Sequence, residues 1–293
     1  MILLLPASRP YRLPVTAGRH HGEKLDGADP AVKIAIRIPG IHQGEEIMAE
    51  RPMQDQVALV TGGAGGIGSG ICRRLAEAGA SVVLTGRDAA KLAAAAKALP
   101  GGGHWGTTVS VTDSAALADL AGEVERRYGR LDLLVNNAGV TKLVKHDDLD
   151  GLTDDLIDEI FRVNWRGPFA CVRAFRHLLE AGDGGVVVNI SSNAALTGKG
   201  SNIAYSSSKA AVNSMTLSLA RVFAPKVRVF AIAPGFVDTG FVSRDPAWVE
   251  AAVQTSLMKR RITPEALGDA VVAAVTHMRF STGCVIPVDG GPL

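Results

Sequence analysis

From about residue 56 the chain alternates short apolar runs with longer stretches of helical periodicity. The apolar runs are residues 57–61, 81–85, 106–111, 131–136, 186–191, 227–232 and 285–288. Between them, residues 67–78, 89–98, 114–128, 154–180, 204–223 and 264–278 carry the amphipathic pattern of helices with one buried face. Strict alternation of strand and helix means parallel strands joined by right-handed crossovers. The strands are nearly all apolar, as expected for a sheet covered on both faces. The pattern predicts a single doubly wound α/β domain over residues 53–293, with a mostly parallel sheet of about seven strands.

Residues 1–52 read differently. They hold six of the 14 prolines and three of the seven histidines, and they sustain neither period. A short alternation at residues 32–38 is a candidate edge strand with nothing to pair against. The segment is expected to be a flexible extension. It is also a candidate for non-translation, because Met48 stands just before the first strand and Gly44-Glu45-Glu46 precedes it. Those codons can be purine-rich enough to resemble a bacterial ribosome-binding site.

Composition narrows the class. The 293 residues are 47% hydrophobic with a net charge of +2, which excludes disorder throughout. Both charge signs are mixed along the chain, so no basic tract points to nucleic acid. The spacing of Cys72, Cys171 and Cys284 suits neither a disulfide framework nor a zinc site, so no metal is expected and a reducing compartment is. No apolar run approaches the ~20 residues of a membrane span. The apolar start is short, stops at Pro6 and has no basic segment before it, unlike a secretory signal. A cytoplasmic enzyme or binding protein is expected.

The run Thr61-Gly62-Gly63-Ala64-Gly65-Gly66-Ile67-Gly68 follows the first strand and opens the first helix. Glycine there allows a tight turn and close approach of a pyrophosphate to free N–H groups at a helix N-terminus. Two readings are open: Gly63, Gly65 and Gly68 as the general dinucleotide fingerprint, or Gly62, Gly66 and Gly68 with three residues in the first gap. An NAD site needs an acid at the end of the second strand, whereas an NADP site needs a cation. Here that strand ends in Gly86-Arg87, with Asp88 one step later. Arg87 can make a bidentate phosphate contact, so NADP is favoured over NAD.

Tyr205 and Lys209 stand four apart at the start of a predicted helix, on one face. A neighbouring ammonium favours the phenolate, so Lys209 is expected to lower the Tyr205 pKa and make it a general acid/base. Ser192, one step past an apolar strand, can hold a carbonyl oxygen by hydrogen bond.

The order of Thr61–Gly68, Asn136-Asn137-Ala138-Gly139, Asn164, Ser192, Tyr205-Ser206-Ser207-Ser208-Lys209 and Pro234-Gly235 resembles the short-chain dehydrogenase/reductase family, from about residue 54 to the C-terminus. The resemblance favours the three-gap glycine pattern, with Gly62, Gly65, Gly66, Ile67 and Gly68 at the nucleotide, on a Rossmann-type fold. It implies that Tyr205 is the general acid/base and that Lys209 binds the nicotinamide ribose. It further implies that Ser192, chosen over Ser191 by the family's Ser-to-Tyr interval, orients the substrate carbonyl, and that Asn164 holds a water behind Lys209. Asn137, Ala138 and Gly139 then shape the cofactor floor, and Pro234, Gly235, Val237 and Thr239 lie over the nicotinamide amide. Gly283 and Val288-Asp289-Gly290-Gly291 resemble the family's last strand.

There are departures too. Ser110 stands where many members carry an acid for the adenine, and Phe230 where Asn is common. The implied function is hydride transfer between a nicotinamide cofactor and a ketone or secondary alcohol. The alternative is a catalytically silent nucleotide sensor on the same fold. Acyl-thioester, sugar or polyol, and steroid-like substrates all remain open. The substrate pocket is expected along residues 141–146, 193–202 and 240–259, the last apolar enough for a partly apolar substrate. The resemblance also implies a homodimer or homotetramer, formed through the helices near 154–180 and 204–223.

Overall fold

The computed structural model describes residues 51–241 and 245–291. The candidate strand at 32–38 and the start at Met48 lie outside them. Seven strands, β1 (Val57–Thr61), β2 (Ser81–Gly86), β3 (Trp105–Thr108), β4 (Leu133–Asn136), β5 (Val186–Ile190), β6 (Arg228–Pro234) and β7 (Val285–Val288), form one sheet. Their order is β3-β2-β1-β4-β5-β6-β7, and every neighbouring pair is parallel. The helices are α1 (Gly66–Glu77), α2 (Ala89–Ala98), α3 (Ser114–Tyr128), α4 (Asp154–Phe161), α5 (Gly167–Leu179), α6 (Ala194–Thr197), α7 (Ile203–Phe223), α8 (Pro246–Thr255) and α9 (Pro264–Thr276).

The near-continuous apolar strands separate into two layers, as the two-residue period of a strand requires. Ala58, Val60, Val82, Leu84, Val135, Val188 and Ile232 pack on the side of α1 and α9. Leu59, Val83, Leu134, Val187 and Val229 pack on the side of α3, α5 and α7. Phe175 and Phe230 are fully buried, and truncating either to Ala costs about 3–5 kcal/mol. Phe230 is therefore a core residue, with the Arg228 guanidinium 5.6 Å from its ring centre. Arg228 in turn donates to the carbonyls of Ala274, Val275 and Met278, closing the C-terminal end of α9 against the sheet.

Five elements differ from the sequence pattern. The amphipathic stretch 154–180 is not one helix, because residues Arg162–Arg166 form a π-turn between α4 and α5. Pro168 has no N–H for the carbonyl four residues back, that of Asn164. Gly167 donates five residues back, to Arg162, instead. The third strand ends at Thr108, because Ser110 and Thr112 bond each other at 2.9 Å and Asp113 caps α3. The fourth starts at Leu133, since Asp132 turns its carboxylate onto the Val57 N–H at 2.8 Å. Helices α6 and α8 were not expected. The start of α8 is set by Asp245, which accepts from the Trp248 N–H at 2.8 Å, with Pro246 at the first position.

The chain runs outward from β1 to β2 and β3, then returns to β4 on the other side of β1. The carboxyl ends of β1 and β4 therefore flank a topological switch point, where an open α/β sheet has its binding crevice.

Candidate active site

The crevice floor is built by Asn137. Its Nδ2 donates to the carbonyls of Thr61 and Gly62, at 2.9 and 3.2 Å. The Thr61 hydroxyl accepts from the N–H groups of Asn137 and Ala138, both at 3.0 Å. These bonds fix the end of β1 to the end of β4. Gly62 has φ +66°, and a Cβ there would meet Asn137 Nδ2 at 3.0 Å. A Cβ on Gly68 would lie 2.2 Å from the Gly62 carbonyl, so the turn closes only without side chains. Among the described residues no side chain caps the N-terminus of α1. Its first N–H groups face the crevice mouth with the positive end of the helix dipole, the donor set a pyrophosphate needs. Thr239 stands over the same turn: a Cβ on Gly66 would lie 2.2 Å from Thr239 Cβ. A nicotinamide dinucleotide fits this cradle.

Beyond β2, Arg87 is exposed and has no hydrogen-bond or ion-pair partner among the described residues. The carboxylate of Asp88 caps α2, accepting from the Lys91 N–H at 3.0 Å, and that bond holds its pKa below the usual range. Asp88 is thus engaged in the helix, while Arg87 is available to a ligand.

On the far side of the crevice, Tyr205 and Lys209 project from the first turns of α7 on one face. The Lys209 ammonium is 5.8 Å from the Tyr205 ring centre and donates to the Ile190 carbonyl at 2.8 Å. The Ser192 hydroxyl lies close enough to the Tyr205 phenol to lower its pKa, and its oxygen accepts from the Ala194 N–H at 3.2 Å. Ser191 points elsewhere, donating to the Lys209 carbonyl at 3.3 Å. Phe241 packs its ring at a tilt against Tyr205, with centroids 6.4 Å apart. The π-turn aims Asn164 inward with no exposure. Its Oδ1 accepts from the Val140 N–H, and its Nδ2 donates to the Val140 carbonyl and to Ser208 Oγ at 3.2 Å.

The electrostatics bear on one expectation. Lys209 was expected to lower the Tyr205 pKa. Instead burial raises the phenol above its ordinary value, and Ser192 pulls it down by less. Lys209 is buried as well, and loss of hydration pushes its ammonium down to about 8. Two desolvated groups facing each other each favour the neutral form. At neutral pH the Tyr205 phenol is therefore protonated, and Lys209 still carries most of its charge.

A family model described as short chain dehydrogenase matches residues 56–250. This chain belongs to the short-chain dehydrogenase/reductase family. A Streptomyces violaceoruber protein assigned as a granaticin polyketide synthase ketoacyl reductase is 38% identical, over 83% of this chain and 98% of its own length. The cis-4-hydroxycyclohexanecarboxylate dehydrogenase of Sinomonas cyclohexanicum is 36% identical, over 81% and 96%. A solved short-chain dehydrogenase/reductase variant from Serratia marcescens superposes with a TM-score of 0.74 at 31% identity, covering 82% of this chain and 98% of that one. The protein is accordingly an NAD(P)-dependent oxidoreductase acting on CH–OH and C=O groups.

The family's motif positions converge on one edge of the sheet. Gly62, Gly65, Gly66, Ile67 and Gly68 follow β1, Arg87 follows β2, and Asn137, Ala138 and Gly139 follow β4. Ser192 follows β5, and Pro234, Gly235, Val237 and Thr239 close β6 and lead out of it. Sequence reasoning gives Asn202 a place only in the pocket range 193–202, and gives Ser208 no separate role. Asn202 was legible, since an Asn just before an amphipathic run is a helix-cap signal. Ser208 gave none, because its contact with Asn164 spans 44 residues.

Proposed function

We propose that this short-chain dehydrogenase is an NADP-preferring reductase of ketones with an apolar body, running in reverse on the secondary alcohols. The observation that carries it is the Tyr205 phenol facing Ser192, with Lys209 buried 5.8 Å from its ring centre. Gly62, Gly66, Gly68, Asn137 and Thr239 would hold the dinucleotide, Lys209 its nicotinamide ribose, and Arg87 the added phosphate. When bound, the nicotinamide supplies the hydride to the ketone carbon or accepts it from the alcohol.

The chain's own part is acid/base work. Ser192 Oγ donates to the substrate carbonyl oxygen and fixes its direction. Tyr205, kept protonated by burial, gives its proton to that oxygen as negative charge develops there. Asn164 holds the Val140 backbone, and a water beside it would return a proton through Lys209.

An apolar substrate is supported by the Phe241 ring against Tyr205, and by Phe236 and Trp248 packed edge-on at 4.9 Å. The ring-shaped substrate named for the Sinomonas relative agrees with this. A homodimer or homotetramer is supported by the parallel stack of Trp165 on Phe169, whose exposures are 37% and 39%. Residues 1–52 are proposed to be dispensable for turnover. The test is a panel of cyclohexanone, ethyl acetoacetate and a sugar ketone, each with NADPH and NADH. Fastest turnover of cyclohexanone with NADPH is expected. A preference for the sugar ketone or for NADH overturns the reading.

A further inference from the structure

We propose that Asn202 is a positioning residue that holds one wall of the substrate site, residues 141–144, in register with the Tyr205 hydroxyl. The proposal rests on Tyr205 being the acid. Asn202 is 1% exposed and uses every polar atom of its side chain. Its Oδ1 accepts from the Tyr205 N–H at 2.7 Å, capping α7 at the residue that carries the phenol. Its Nδ2 donates to the Lys142 carbonyl at 2.7 Å and to Thr141 Oγ1 at 3.2 Å. Ser201 extends the clasp, with its hydroxyl 2.5 Å from Thr141 Oγ1 and its carbonyl accepting from the Val144 N–H at 2.9 Å. Asn164 holds the preceding residue, Val140, from the other side.

A helix cap alone needs only an acceptor, and Ser, Asp or Thr would serve. Asn adds an amide NH2, and both of its donors go to the wall. One side chain therefore couples the backbone of the acid to the backbone of the pocket, across 60 residues of sequence. Acceleration by orientation is lost steeply with displacement: about 1 Å of misplacement costs roughly 100-fold.

The Asn202→Ser variant separates the two duties, because it keeps the cap and removes the amide donors. Four quantities are measured on the full chain: thermal stability, NADPH affinity, kcat and KM for cyclohexanone, and amide exchange at Val144. The expected result is near-native stability and NADPH affinity, faster exchange at Val144, and a fall in kcat of about 10- to 100-fold. Asn202→Ala, which also loses the cap, is expected to lose stability in addition. Native kcat in Asn202→Ser overturns the proposal, and so does a parallel fall in stability, NADPH affinity and kcat. Wild type and Tyr205→Phe run alongside. An inactive wild type or an active Tyr205→Phe overturns the acid assignment and the positioning role with it. An inactive Tyr205→Phe beside a native-like Asn202→Ser overturns the positioning role alone.

Discussion

Asn164 satisfies both backbone polar groups of a single residue, Val140, accepting from its N–H at 2.8 Å and donating to its carbonyl at 3.0 Å. The contact ties the π-turn to the strand-end loop after β4. Replacing Asn164 with Ala leaves both groups without these partners, in a half-buried place. A loss of about 1–3 kcal/mol is expected, which is a fall of several degrees in Tm for a domain of this size. Turnover should fall further than stability explains, since the same side chain bonds Ser208, the neighbour of Lys209 in α7. Calorimetry and steady-state rates on Asn164→Ala check both, and an unchanged Tm refutes the first.

Tyr205 has its phenol raised by burial, which gives the two directions of the reaction opposite pH behaviour. Ketone reduction needs the protonated phenol and the charged Lys209, so its rate should be level from pH 6 to about 7 and fall as Lys209 loses its proton near pH 8. Alcohol oxidation needs the phenolate, so its rate should climb through the alkaline range. Tyr205→Phe should remove roughly 100-fold or more of either rate while NADPH still binds. A pH-independent oxidation rate in the wild type contradicts the assignment.

Much of this site was legible in the sequence because its parts are local. The glycine turn sits between one strand and one helix, and Tyr205 and Lys209 lie one helical turn apart. What the sequence hid is contact between distant segments or a change of helical type. The run 154–180 is periodic throughout, and only the Gly167-Pro168 pair marks where it widens into a π-turn. The Tyr205 pKa went the other way for a similar reason. The spacing to Lys209 was visible, but the burial of both groups depends on how β5, α7 and the loop after β6 close together. The partner of Ser191, the Lys209 carbonyl, likewise depends on packing between β5 and α7.

Arg87, without a partner among the described residues at the end of β2, is the cation expected to distinguish NADPH from NADH. A charge-assisted bond to a phosphate is worth about 1.5–3 kcal/mol. Arg87→Leu should therefore raise the KM for NADPH by about 10- to 100-fold and leave that for NADH unchanged. The wild-type preference should also weaken as salt is added. Equal effects on the two cofactors would place the arginine outside the nucleotide site.

Phe241 leans on the Tyr205 ring with centroids 6.4 Å apart, although it is 48% exposed. A half-exposed ring at that place is poised to meet an apolar substrate. Phe241→Ala removes up to about 2 kcal/mol of apolar contact. The KM for cyclohexanone should rise several-fold, with little change for a small polar ketone. A matching rise for both ketones would mean that the ring serves only to shape Tyr205.

Lys209 is the group whose ionisation should be visible in stability. It is 5% exposed, and burial brings its pKa from the ordinary 10.5 down to about 8. Below pH 8 the folded and unfolded chains both carry the proton, and the cost of burying the charge is constant. Between pH 8 and 10.5 the unfolded chain holds more protons than the folded one, so this group adds stability as pH rises. Lys209→Met removes the titration. The stability of the wild type relative to Lys209→Met should be flat from pH 6 to 7.5 and then rise toward pH 10, by up to about 1.4 kcal/mol per pH unit. Denaturant melts of both proteins at pH 7 and pH 10 measure it. If the difference between them is the same at both, the ammonium is hydrated in the folded protein and the buried-lysine description of the site fails.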